Sequence, residues 1–281
     1  MAKRRYGFNE AKIARFHKEG RGEGHGQDYQ PWLTIQDVPS LGRVTRVHSF
    51  KTGREHHCLS DLETGLFHLL DWSETVTDIR EQFPLDRDAT RRLAGEMGIA
   101  HPRESRTSVD LVMTTDFLVD VRHQGQSACA AYSVKPASKL DDPRTLDKLE
   151  LERRYWAIKG VPWFLVTDRD LPEQRILNLA WLHEMRSLDQ LQVKHPGYWS
   201  DRCNRFIEEL SRSHGGLIQD FLQHLERRCG FAVGESLTVL RHLAANKRIG
   251  FDLDAEFSTR SPVQSLRLMA PDRVALAVVR A

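Results

Sequence analysis

Two stretches of the chain carry side chains whose types and spacing could do chemistry. TTDFLVDV (114–121) presents Asp116 and Asp120 in a strand-like run, and ACAAYSVKP (128–136) ends with Ser133 and Lys135 just ahead of a proline. A charged ammonium in a half-buried strand needs a partner or a task. If Gly125 and Gln126 form a two-residue turn, with glycine first as type II′ requires, Asp116 lies opposite Lys135 and Leu118 opposite Ser133. Directly opposed residues of an antiparallel pair project to the same side. Asp116, Ser133 and Lys135 are therefore expected to share one face, with Asp120 further along it. Such a pair reads either as a cross-strand ion pair or as the start of a hydrolytic centre. In the second case carboxylate oxygens hold a divalent cation, Mg2+ with Mn2+ as substitute, that neutralises a phosphate. The lysine then positions the attacking water and lowers its pKa.

Further groups could join them. SDLETGLFHLLDW (60–72) places Leu62, Leu66, Leu69 and Leu70 at helical spacing behind Ser60, a natural N-cap. Glu63 completes an S-x-x-E capping box, so it either closes the helix start or lends a carboxylate to the cation. Arg80, in DIREQFP (78–84), is free to meet a phosphate or to pair with an acid. Glu150 and Glu152 stand about 200° apart on one helix and cannot both face one site. HHC (56–58) lacks the second ligand pair that zinc usually takes, and no HExxH, GxSxG or Walker pattern occurs.

The elements that must position these groups are legible from residue 60 onward. A helix (60–72) is followed by a strand (75–83) that stops at Pro84, and by a short helix from Asp88 to Met97. The two strands of the hairpin come next. A helix capped by Asp142, opened by Pro143 and closed by Gly160 leads into the apolar strand VPWFLVTD (161–168). The core order is α-β-β-β-α-β, whose last strand must run parallel to its predecessor through a right-handed crossover. That order, with an Asp on one strand and x-Lys on the next, is similar to the PD-(D/E)xK nuclease core. TDRDLPEQ (167–174) reads as a boundary. Beyond it, helices at 173–187, 200–211 and 215–228 precede a helix-turn-strand (234–254) and a last strand, RVALAVVR (273–280). The basic helix and turn RHLAANKRIGF (241–251) could enter a DNA groove or dock a protein.

The expected fold class is α/β: a restriction-endonuclease-like core (1–170) with a basic N-terminal arm, and a mainly helical, winged-helix-like second domain (171–281). The 281 residues suit two domains. No run of apolar residues is long enough to span a membrane, and no apolar stretch follows the first basic residues, so a cytoplasmic protein is expected. Cys58, Cys129, Cys203 and Cys229 lie far apart, as reduced thiols would. The net charge is only +2, yet residues 1–57 hold eleven Lys or Arg against six Asp or Glu. Lys3, Arg4, Arg5, Lys12, Arg15, Lys18 and Arg21 are the candidate DNA contacts of that arm. The glycine-rich EGRGEGHG (19–26) reads as a flexible connector.

Longer blocks carry a resemblance. EGRGEGHGQDYQPWLT, DIREQFPL, TDFLVD, VKPA and KLELERRYW together resemble TnsA, the endonuclease subunit of heteromeric bacterial transposases, through residues 8–170 and more loosely to the end. The resemblance implies a nuclease that cuts the 5′ ends of a transposon, with transposon-end DNA, a TnsB-like DDE transposase and a TnsC-like AAA+ ATPase regulator as partners. It implies a protein at the bacterial nucleoid during cut-and-paste transposition. It places catalytic acids at Glu63 and Asp116 and the lysine at Lys135, with Glu152 also at the site. Two Mg2+ ions are implied, held by Glu63, Asp116 and the backbone carbonyl of Val134. Ser133 departs from the family, which typically has glutamine there, and is expected to act through a water. The alternatives are a non-catalytic DNA-binding adaptor with a decayed site, and a stand-alone restriction or repair nuclease.

Overall fold

The computed structural model describes residues 7–38 and 43–269, and the chain divides into two compact units between Leu171 and Pro172. The first unit is built on a hairpin, β1 (Thr45–Ser49) and β2 (Arg54–Cys58), and a four-stranded mixed sheet. The sheet has the order β3 (Val76–Pro84), β4 (Thr114–His123), β5 (Gln126–Val134), β6 (Trp163–Val166). Its first three strands are antiparallel, and β6 runs parallel to β5. Helix α2 (Asp61–Trp72) starts on Ser60, whose hydroxyl accepts from Glu63 N, as the capping box requires. Its Leu66, Phe67 and Leu70 bury against Ile79, Phe117, Val119 and Val134. A second cluster joins Leu118 and Ala131 of the sheet to α3 (Arg87–Glu96) and α4 (Pro143–Ile158), through Leu93, Ala94, Leu151, Tyr155 and Trp156. The alternation Phe117/Leu118/Val119 between the two clusters is the period-two signature of a sheet covered on both faces.

Two expectations are corrected in this unit. The hairpin turns at Gln124–Gly125, not Gly125–Gln126, because both residues take positive φ, 49° and 80°, as a primed turn demands. The register moves by two: Phe117 faces Tyr132 and Leu118 faces Ala131, not Ser133. A slip of two keeps every side chain on its own face, so the hydrophobic pattern survives the error.

The N-terminal segment is not a loose arm over its described part. After Asn9 as N-cap, α1 (Glu10–Lys18) buries Ile13 and Phe16 with Phe8, Trp32 and Val112. EGRGEGHG is likewise no connector. Gly20, Gly22, Gly24 and Gly26 all have positive φ; a Cβ on Gly22 would lie 2.2 Å from Pro84 Cγ, and one on Gly24 2.6 Å from the Asp28 carbonyl. Gly22 and Gly24 are there for close approach, and all four for a left-handed backbone, not for mobility.

The second unit packs α5 (Glu173–His183), α6 (Tyr198–Arg212), α7 (Ile218–Arg228) and α8 (Glu235–Ala245) around Phe206, Leu225, Val239, Leu240 and Leu243. A two-residue ladder joins β7 (Ile249–Gly250) to β8 (Arg267–Leu268). The strand expected at 273–280 lies outside the described residues. The polar residues of α8 are committed within the unit: Arg241 binds Trp181 O and Glu184, and His242 binds Met185 O.

Candidate active site

Asp116 stands where the β4–β5 ladder stops, one residue beyond the Phe117–Tyr132 pair. Its Oδ2 takes up the donor that the ladder leaves, Val134 N at 2.7 Å, and also accepts from Lys135 Nζ at 3.0 Å. The same ammonium donates to Val134 O at 2.8 Å, so this carbonyl sits beside the carboxylate but faces the lysine. Burial alone would favour the neutral amine, but Asp116 raises the Lys135 pKa and keeps the group an ammonium. Proline at 136 ends the strand there and leaves the lysine side chain 38 % exposed.

Glu63 comes to the same place from α2. Its Oε2 accepts from Leu59 N at 2.9 Å and its Oε1 from Ser60 Oγ at 2.9 Å. Capping box and site acid are therefore one residue. Burial, then the charge of Asp116, push its pKa up to about 7. Between the two acids lies Gln82, whose Nε2 donates to Glu63 Oε2 at 3.3 Å and to Asp116 Oδ1 at 3.4 Å.

Glu152, on the inner side of α4, is 5 % exposed. It accepts from Thr115 Oγ1 at 2.6 Å and from Ser133 Oγ, and burial followed by the Asp116 charge raise its pKa to about 7. Glu150, on the outer side, pairs with Arg153 and Arg154, as the 200° separation demands. Ser133 departs from its expected company: its hydroxyl donates to Glu152 and accepts from Trp163 Nε1 at 3.1 Å, with no hydrogen bond to Asp116. At the matching point of the register Asp116 turns to the Val134 amide while Ser133 points to α4, so a shared face does not become a shared contact.

Other candidates fall elsewhere. Arg80 pairs with Asp120 at 2.5 Å, and both lie away from Lys135; acid pairing, not an open phosphate contact, describes this arginine. Arg21 is consumed by the fold: it binds Glu19, Asp37 and the Trp32 carbonyl and lies 3.5 Å over the Phe16 ring. Lys12 lies over Phe8, Arg15 pairs with Glu19, and Lys18 is exposed at the end of α1. Lys3, Arg4 and Arg5 lie outside the described residues. His56, from HHC, is fully buried; its two ring nitrogens meet Glu81 and Thr52, both at 2.8 Å. Glu81 also takes a two-pronged bond from Arg54, and these partners overcome burial to hold its carboxyl well below the usual range. This network ties β2 to β3 and holds the strand carrying Gln82.

Gln82 is the site residue that sequence reasoning passed over. It was visible only as one polar residue among three in REQ (80–82), where alternation gives it no distinction. Its φ of 48° marks it in the fold, because a non-glycine residue in that region interrupts a strand.

The pair of acids fits a hard divalent cation: the buried carboxylates of Glu63 and Asp116 converge on one small polar group, the Gln82 amide, and carboxylate oxygens are the ligands such a cation takes. Among the described residues two other groups gather metal-type side chains, His25–Asp78–Asp120 and Glu209–His224–Cys229. Arg80 is already paired into the first and Arg205 into the second.

Comparison with known proteins identifies the family. Residues 73–168 match the family model TnsA-like endonuclease N terminal, and residues 170–253 match TnsA endonuclease C terminal. Over 257 residues the chain is 43 % identical to the transposon Tn7 transposition protein TnsA of Escherichia coli, covering 92 % of this chain and 91 % of that protein. Helix α2, with Glu63, precedes the stretch matched by the first model. With both units matched in order, and with a relative of that identity along nearly the whole chain, this protein belongs to the TnsA endonuclease family.

Proposed function

We propose that the chain is a divalent-metal-dependent DNA endonuclease subunit of a heteromeric transposase, cutting transposon ends on the 5′ side. The observation that carries this reading is the convergence of Glu63, Asp116 and Lys135 from a helix and two strands, with Asp116 in direct contact with Lys135. A bound Mg2+ or Mn2+ would supply charge to the scissile phosphate and acidify water. Glu63 and Asp116 would hold it, and the Val134 carbonyl, which accepts from Lys135, would join them only by giving up that bond.

The chain's own residues have distinct tasks. Asp116 holds the Lys135 ammonium at the strand end, where proline directs it out of the ladder toward incoming DNA. Lys135 in turn steadies a water and the developing charge on the phosphate oxygens. Glu152 acts behind the strands: through Thr115 and Ser133 it fixes β4 and β5 against α4, and so positions Asp116 and Lys135. Ser133 is thus a positioning residue. The nuclease-like core order, the winged-helix-like character of the second unit, docking to TnsB-like and TnsC-like proteins, and cytoplasmic action at the nucleoid all belong to this proposal.

Cleavage of labelled transposon-end DNA with the partner proteins and Mg2+ tests it. Asp116→Ala is expected to reduce 5′-strand cleavage on the order of 10³-fold, since several kcal/mol of charge stabilisation are removed. Undiminished cleavage by that variant would move the site elsewhere. Wild-type DNA binding without any Mg2+- or Mn2+-stimulated cutting would favour an adaptor, and cutting without partners a stand-alone nuclease.

A further inference from the structure

Gln82 is 3 % exposed and stands at φ 48°, between two acids. Its main-chain carbonyl accepts from Trp32 N at 3.2 Å, so the packed N-terminal segment helps hold the strand in this unusual conformation. Its side-chain oxygen accepts from Thr114 Oγ1 at 3.0 Å, while Nε2 faces both Glu63 and Asp116. A primary amide can offer either its N–H donors or its carbonyl oxygen from one position, by a half-turn about its last bond. Without a cation, the donors belong on the carboxylates, where they offset the repulsion between two buried acids. With a cation between those acids, N–H groups would point at positive charge. A half-turn brings Oε1 to the cation and Nε2 to Thr114, whose hydroxyl accepts as well as it donates. Each state leaves the buried amide partnered at both ends.

We propose that Gln82 is a neutral oxygen ligand of the divalent cation, and that in its absence the same amide bridges Glu63 and Asp116. The inference rests on the metal-site reading above and adds a ligand from β3, a strand that contributes no charged member to the centre. It also gives the left-handed backbone at Gln82 a purpose, since this conformation aims the side chain between the two carboxylates instead of into the ladder.

Full-length wild type, Gln82→Met, Gln82→Glu and Glu63→Gln should be compared by calorimetric Mn2+ titration and by melting with and without Mg2+. Gln82→Met is expected to weaken Mn2+ binding on the order of 10-fold or more. Gln82→Glu adds a third acid, so its metal-free Tm should fall while its rise on adding Mg2+ exceeds that of wild type. A purely structural glutamine would not produce that opposite response. In wild type, the side-chain amide proton resonances absent from the Gln82→Glu spectrum should shift on saturation with Mg2+. Wild-type Mn2+ affinity in Gln82→Met, with affinity lost in Glu63→Gln, would overturn the Gln82 assignment alone. Unchanged Mn2+ affinity in Glu63→Gln and Asp116→Asn would refute the metal site, and the Gln82 ligand with it.

Discussion

Glu63 and Glu152 keep their protons up to about pH 7, because burial and then the nearby charge of Asp116 disfavour a second and third carboxylate. In the unfolded chain each would ionise near its ordinary value of 4.5. The folded state therefore binds more protons between about pH 4.5 and 7, and metal-free stability should fall as pH rises through that window. Glu81 has the opposite sign: its depressed pKa contributes stability that is fully present above the ordinary glutamate value and is lost only as the solution becomes more acidic. Melting of the metal-free protein from pH 5 to 7.5 should show a decline of about 2–5 kcal/mol, the upper figure if both acids respond in full, worth several degrees or more. Glu152→Gln should flatten part of it, and a slope unchanged in that variant would show that Glu152 does not titrate in this window. Glu63, Asp116 and Lys135 were legible as residue types at plausible spacing, and Glu152 through the family resemblance. Gln82 was not, because a neutral side chain in a strand signals nothing until backbone conformation shows where it points.

Caps and breakers made the helices readable: Ser60, the Asp142–Pro143 pair and Gly160 mark ends that the structure reproduces within a residue or two. The hairpin was readable except for its register, since HQGQ (123–126) admits two turns and only the left-handed pair Gln124–Gly125 selects between them. The β1–β2 hairpin left little apolar signal: REHHC is held by Arg54 and His56 on a buried glutamate instead of by alternating hydrophobics. In EGRGEGHG, composition stood for flexibility although geometry required glycine. Gly24→Ala is thus expected to destabilise by about 1–3 kcal/mol, through left-handed strain and contact with the Asp28 carbonyl. Gly95→Ala, on an open face of α3, should be neutral or stabilising by up to about 1 kcal/mol. Urea denaturation measures both, and equal effects would contradict the close-packed reading of 19–26.

At the scale of the whole molecule the chain forms two compact units, and the candidate site lies in the first. The N-terminal charge excess looked like an arm for DNA, but Arg21 is bound into the fold and α1 rests on an aromatic cluster around Trp32. That packing reaches the site, because Trp32 holds the carbonyl of Gln82. In the second unit α8 is a core helix whose Arg241 is engaged internally, while Arg248 in the turn beyond it is exposed. No described helix is long and apolar enough to cross a membrane. The central claim is that Glu63 and Asp116 hold the catalytic cation beside Lys135. Crystals grown with Mn2+ and transposon-end DNA test it through anomalous scattering. A Mn2+ peak between the two carboxylates, about 2.1 Å from their oxygens, is the expected result. A map with no peak there, or with Mn2+ only on His25, Asp78 and Asp120, would contradict the assignment.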